Sequence, residues 1–192
     1  MFVSRLKMFT AVAFAAAAII SLPFNAHAAA LNSNTQTVAL NATLGESLTI
    51  SASVSTVSFT LANGSTVTGD KAVPITTTWV MGPGRTSVKL YGYFASSSAA
   101  LTDGYTTPDN IPSASVLGQV TTGAPTTYTA FTQTAPWGAA SAGLLLVNQA
   151  ITASPANFVG NRTDNLNLEI NTPAQLPAGT YTGTLTLQAQ AN

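Results

Sequence analysis

The chain has 192 residues, with six basic and six acidic side chains, one histidine and no cysteine. Charge this sparse excludes nucleic-acid binding, which draws its affinity from clustered Lys and Arg displacing counterions. The missing cysteines exclude disulfide staples, thiol nucleophiles and a lipid anchor on an N-terminal cysteine.

At the N-terminus, Arg5 and Lys7 precede an apolar run from Met8 to Leu22, and Ala26-His27-Ala28 come after it. Charged start, apolar middle and small-residue cleavage site are the ordered parts of an export signal. The run is about 15 residues, whereas a stable bilayer-spanning helix takes roughly 20. The expectation is therefore a signal peptide over residues 1–28, cleaved after Ala28 with Ala30 as the alternative. No later stretch is apolar for long enough to span as a helix. Residues 29–192 are then expected to form one domain, secreted, periplasmic or displayed at the cell surface. That length buries a core without staples. Loss of Arg5 and Lys7 leaves four basic and six acidic side chains, a net charge of −2, so solubility comes from hydroxyls and amides.

Period-two alternation dominates the chain beyond the signal segment. Val38, Leu40, Ala42 and Leu44 predict one strand, and Leu48, Ile50, Ala52 and Val54 predict a second. The apolar positions then move to Val57, Phe59 and Leu61, a change of parity that predicts a bulge or bend near Ser55 and Thr56. Ile75, Thr77, Trp79 and Met81 face Val88, Leu90, Gly92 and Phe94 across Gly82-Pro83-Gly84-Arg85, which reads as a hairpin. The Ser-, Thr-, Gly- and Pro-rich stretch from Ser96 to Pro136 predicts long loops with one or two short edge strands. Leu144 to Val147 is apolar on both parities and predicts a central strand covered on both sides. Leu166, Leu168 and Ile170 form the penultimate strand. The last strand runs from Tyr181 through Leu185 and Leu187 to Ala189. Eight to ten short strands without helical periodicity predict an all-β fold, an antiparallel β-sandwich with immunoglobulin-like or Greek-key connections.

Little catalytic chemistry is left. His27 falls in the segment expected to be removed, which takes with it histidine-based triads, zinc ligands and proton shuttles. Asp70, Asp103, Asp109 and Asp164 sit in turn-like contexts where Asp caps its own backbone, so a glycosidase carboxylate pair is not expected. Ser141 misses the nucleophile-elbow pattern because Ala139 stands two residues before it. Asp103, Asp109 and Asn110 lack the spacing of a calcium loop. Leu176-Pro-Ala-Gly-Thr180 has Gly and Thr in the wrong order for a cell-wall sorting signal. Asn41, Asn63 and Asn161 each begin a glycosylation sequon, a pattern that chance supplies in a Thr- and Ser-rich chain. No cofactor or metal is expected. For ligand contact the candidates are Trp79, Tyr91, Tyr93 and the loop residue Trp137. The two tyrosines sit on the parity opposite Leu90 and are candidates for stacking on a sugar, though Trp79 shares the parity of Ile75 and reads as core.

The opening Val38-Ala-Leu-Asn-Ala-Thr-Leu-Gly-Glu-Ser-Leu-Thr-Ile50, leading to Val57-Ser-Phe59, and the closing Leu176-Pro-Ala-Gly-Thr-Tyr-Thr-Gly-Thr-Leu-Thr-Leu187 resemble the spore coat protein U and chaperone-usher pilin type of secreted β-sandwich. The resemblance covers the two ends of the chain. It implies a sandwich completed by a strand from a neighbouring subunit, with copies of the chain or other surface subunits as partners through edge-strand pairing. Members commonly carry a disulfide near the first strand, and Ser47 to Ser51 has none; Ala29 to Gln36 also lacks alternating apolar residues, so a donor strand would have to be Val38 to Leu44. The expected function is an exported, non-enzymatic structural or adhesive surface protein, a pilin-like or coat subunit. The alternatives are a secreted carbohydrate-binding module with glycans as partners, and a small outer-membrane β-barrel, which the missing terminal aromatic and aromatic girdles disfavour.

Overall fold

A computed structural model describes residues 31–132, 134–135, 143–152 and 157–192; the signal-peptide segment 1–28, with His27, and the candidates Trp137 and Ser141 lie outside the described residues. The chain divides into two compact units, Met1–Ala42 and Thr43–Asn192. In the first, residues 31–42 are exposed and form no strand or helix. The strand expected from Val38 to Leu44 is thus not formed. An isolated strand has neither a hydrogen-bonding ladder nor a core to cover its apolar face, and alternation alone does not hold it.

Residues Thr43–Asn192 are all-β. Eleven strands occur among the described residues: β1 Ser47–Ala52, β2 Thr66–Thr68, β3 Val73–Val80, β4 Ser87–Phe94, β5 Leu101–Thr102, β6 Asn110–Ile111, β7 Val116–Val120, β8 Thr129–Ala130, β9 Leu144–Ala150, β10 Val159–Asn171 and β11 Leu185–Ala191. One antiparallel sheet runs β1-β3-β10-β7-β8, with β2 also paired to β10; a second runs β11-β4-β9; β5 and β6 form a two-stranded ribbon. The sheets pack into a sandwich. Among the described residues the sheets are separate and keep free edges, unlike the strands of a closed barrel.

The segments expected to form a hairpin, β3 and β4, belong to different sheets. A Gly-Pro-Gly turn dictates a reversal but not a ladder. Here the buried residues of β3 (Val73, Ile75, Thr77, Trp79) and of β4 (Val88, Leu90, Gly92, Phe94) line the two inner faces of the sandwich, and the turn carries the chain from one sheet to the other. Phe131 ties the sheets together. Its ring meets Phe94 edge-on, with centroids 5.5 Å apart and planes at 88°. It fits only because Gly92 on β4 and Gly118 on β7 lack side chains, since a Cβ there would lie 2.9 and 2.8 Å from the ring. A smaller apolar cluster of Trp79, Met81, Val88 and Ile151 fills the end of the sandwich near the β3–β4 turn.

Three other expectations are corrected. After β1 the chain does not bulge but leaves the sheet, and Val54, Val57, Phe59 and Leu61 pack half-buried against the core from irregular backbone. Leu144–Val147 is not a central strand, because β9 ends its sheet. Its double apolar parity has another cause: pairing with β4 slips between Leu90 and Tyr91, and the bulge lets consecutive Leu146 and Val147 both be buried. Asp164 is not in a turn. It lies within β10, where it pairs with Ile75 of β3.

Candidate functional site

On one side the two sheets gape where β1 ends and β11 begins. There β1 ends one sheet and β11 ends the other. All seven residues of β11 are half-buried, on both parities, so neither face of this strand is fully covered. Its inner edge pairs with β4 from Leu185↔Phe94 to Ala191↔Val88, and among the described residues its outer edge carries no partner strand. A groove of about 1090 Å³ meets its first residues, Leu185 and Leu187.

The opposite rim is the irregular segment after β1. It is tied down at two points: the Ser53 N–H donates to Pro74 O at 3.1 Å, and Ser58 exchanges bonds with Asp70. The Ser58 N–H donates to Asp70 Oδ1 at 2.8 Å, and the Asp70 N–H to Ser58 O at 3.0 Å. The bond from the Ser58 N–H, with a smaller contribution from the Lys71 ammonium, holds the Asp70 carboxyl below its ordinary range. Between these ties the side chains of Val54 and Val57 line the groove. The floor is apolar, formed by Val73, Phe94, Val116, Leu166, Leu168 and Ile170. One end is walled by residues 176–184, which Asn63 pins by donating from Nδ2 to Leu176 O at 2.9 Å and Tyr181 by donating its hydroxyl to Pro177 O at 2.9 Å. Desolvation, then Asp103, Asp109 and Tyr105, push the Tyr181 hydroxyl above its usual value, so it stays protonated and keeps donating.

The groove's chemistry is that of an unfilled core: apolar floor, an open strand edge along one side, and no clustered ionisable groups. Among the described residues no group of three or more His, Cys, Asp or Glu could hold a metal ion, and no helix is long and apolar enough to cross a membrane.

The aromatic candidates do not converge. Trp79 is 5% exposed in the smaller core cluster and donates from Nε1 to Asn157 O at 3.0 Å. Tyr91 is 8% exposed, and Tyr93 donates to Gln188 Oε1 at 3.4 Å. Trp79 stands in one sheet and the tyrosines in the other, so the expected pairing of Trp79 with Tyr91 and Tyr93 on adjacent arms is not present. Asp103 does cap its own turn, accepting from the Tyr105 N–H at 3.2 Å.

Two polar clusters carry no signal in the sequence. Buried Asp164 accepts from Arg162 Nε and Nη2, each at 2.6 Å, and from the Thr122 hydroxyl at 2.6 Å, while Arg162 reaches Gln149 on β9 at 2.9 Å. This ties the two sheets. The second cluster joins Glu46 to Arg85, an ion pair of 2.8 Å between residues 39 apart in sequence. Arg162 and Asp164 share a strand face, but their partners Thr122 and Gln149, like the two members of the Glu46–Arg85 pair, come from distant parts of the chain.

No protein family, curated protein or solved structure matches this chain.

Proposed function

We propose that this chain is an exported, non-enzymatic structural surface protein, a pilin-like or coat subunit, whose sandwich is completed by an extended segment of another copy. One observation carries the reading: the apolar groove reaches the start of β11, whose outer edge has no paired strand among the described residues. A strand laid there gains backbone partners along that edge and drops alternate side chains onto the floor, the mode of β-augmentation.

The occupant is Val38–Leu44 of a second copy. Val38, Leu40 and Leu44 are 81%, 91% and 84% exposed, in a segment whose larger apolar residues alternate as in a strand but which forms no ladder. Burying each such side chain contributes about 1.5–3 kcal/mol. The apolar groove and the apolar segment are complementary needs of one sequence. Exposed strand edges of this kind are otherwise a liability that proteins cover or blunt.

The experiment is binding of a labelled synthetic peptide covering residues 36–45 to the purified protein. Saturable binding is expected, lost when Leu40 of the peptide is replaced by Asp. Absence of binding, or binding indifferent to Leu40→Asp, overturns the proposal.

A further inference from the structure

The buried carboxylate of Asp164 has no part in strand donation, and neither it nor its partners line the groove. Its Oδ1 accepts from the Thr122 hydroxyl at 2.6 Å and from Arg162 Nη2 at 2.6 Å, and its Oδ2 accepts from Arg162 Nε at 2.6 Å. The same guanidinium holds two further groups. Its Nη1 donates to Gln149 Oε1 at 2.9 Å, and its Nη2 to the Thr122 backbone O at 2.9 Å. Because Nη1 and Nη2 share one carbon, Thr122 and Gln149 are held side by side.

The backbone brings them together independently of Arg162. Thr122 stands in the turn closed by the Gly123 N–H donating to Val120 O at 3.1 Å, and the next N–H, that of Ala124, donates to Leu146 O on β9 at 2.9 Å. Gly123 sits so close to β9 that a Cβ there would run into Leu146 O. Gln149 lies three residues further along the same strand. The Arg162–Asp164 pair is already bidentate without either outer partner. Thr122 and Gln149 add a hydroxyl resting on a buried carboxylate and an amide carbonyl resting on a fixed cation. These are a nucleophile with its base and an electrophile with its oxyanion donor.

We propose that Thr122 and Gln149 join as an ester, a covalent cross-link between the turn after β7 and strand β9, and so between the two sheets. The Thr122 oxygen attacks Gln149 Cδ while Asp164 takes the hydroxyl proton. Arg162 Nη1 holds the negative charge that develops on Oε1. The bond from Cδ to Nε2 then breaks, and Asp164 returns the proton to the departing nitrogen. The products are the ester and one molecule of ammonia; nothing is oxidised or reduced, and no co-reactant enters. Each molecule reacts once and turns over nothing. A chain without cysteine thereby gains a constraint of the kind that disulfides give other exported domains.

The test is the intact mass of the purified, denatured protein, set against the mass of its sequence from the observed N-terminus. The wild type is expected to be lighter by one ammonia, and its digest to contain a Thr122 peptide linked to a Gln149 peptide. Mild alkali should open the link and leave a carboxylate in place of the Gln149 amide. Thr122 is exposed and Gln149 half-buried, so Thr122→Ala and Gln149→Ala are expected to fold and to show the full sequence mass. Thr122→Ser keeps the hydroxyl and should keep the ammonia loss. A wild type at full sequence mass overturns the proposal, as does an ammonia loss that persists in Thr122→Ala or Gln149→Ala.

Discussion

At the scale of single residues, the few charges in this chain are used as ties. Asp164 is 2% exposed, yet its oxygens meet Arg162 and Thr122, so the buried carboxylate is compensated. Asp164→Ala leaves the Arg162 guanidinium without its carboxylate at a partly buried site and is expected to cost about 3 kcal/mol or more, read as a lowered denaturant midpoint with unchanged slope. Glu46 behaves differently because its tie is solvent-exposed. The hydrogen bond from Arg85, then that from the Gly82 N–H, lowers its carboxyl from 4.5 to about 2, and Arg85 is the charged group that faces it. A folded value below the unfolded one contributes stability above pH 4.5 that is lost as the pH falls toward 2. The difference in thermal midpoint between wild type and Glu46→Gln is therefore expected near neutral pH and should vanish at about pH 2. A difference that persists there would assign the effect of Glu46 to packing.

At the scale of elements, the sandwich depends on how closely its inner faces approach. Phe131 reaches both sheets through the gaps left by Gly92 and Gly118. Phe131→Ala is expected to cost about 3–5 kcal/mol. Gly118→Val should also destabilise strongly, because its branched side chain meets the Phe131 ring and Leu166 within a closed core; both are read by denaturant titration. The sequence's alternation located β1, β3, β4, the second half of β10 (Leu166 to Ile170) and β11, since burial on one face needs period two wherever a strand sits. It did not say which strands pair. The arms around Gly82–Arg85 obey the same alternation whether they lie side by side or face each other across a core, and only the positions of β1, β10, β9 and β11 select the second arrangement. Double parity at Leu144–Val147 was ambiguous for a like reason, because a bulge buries adjacent residues as effectively as a second covering layer. The groove was half legible. The alternation of Val38–Leu44, its proposed occupant, showed in the sequence, but the groove itself emerges only once β1 and β11 are seen to end their sheets.

At the scale of the whole molecule, the sandwich carries an apolar groove and residues 38–44 expose Val38, Leu40 and Leu44, the two halves of the proposed strand donation. Leu40→Asp alters a residue that is 91% exposed and so should leave the denaturation midpoint unchanged at concentrations where the wild type is monomeric, while abolishing assembly and the extra stability it brings at higher ones. Leu168→Asp places a charge on the groove floor, where the residue is 8% exposed, and is expected to lower the midpoint as well as assembly. The contrast between these variants separates docking from folding. The most direct measurement is a sedimentation-velocity concentration series on the wild-type protein and Leu40→Asp. Species that grow in mass with concentration for the wild type, against a single monomeric species for Leu40→Asp, are the predicted result. A wild type that stays monomeric throughout, or a Leu40→Asp protein that assembles alongside it, would contradict strand donation between copies.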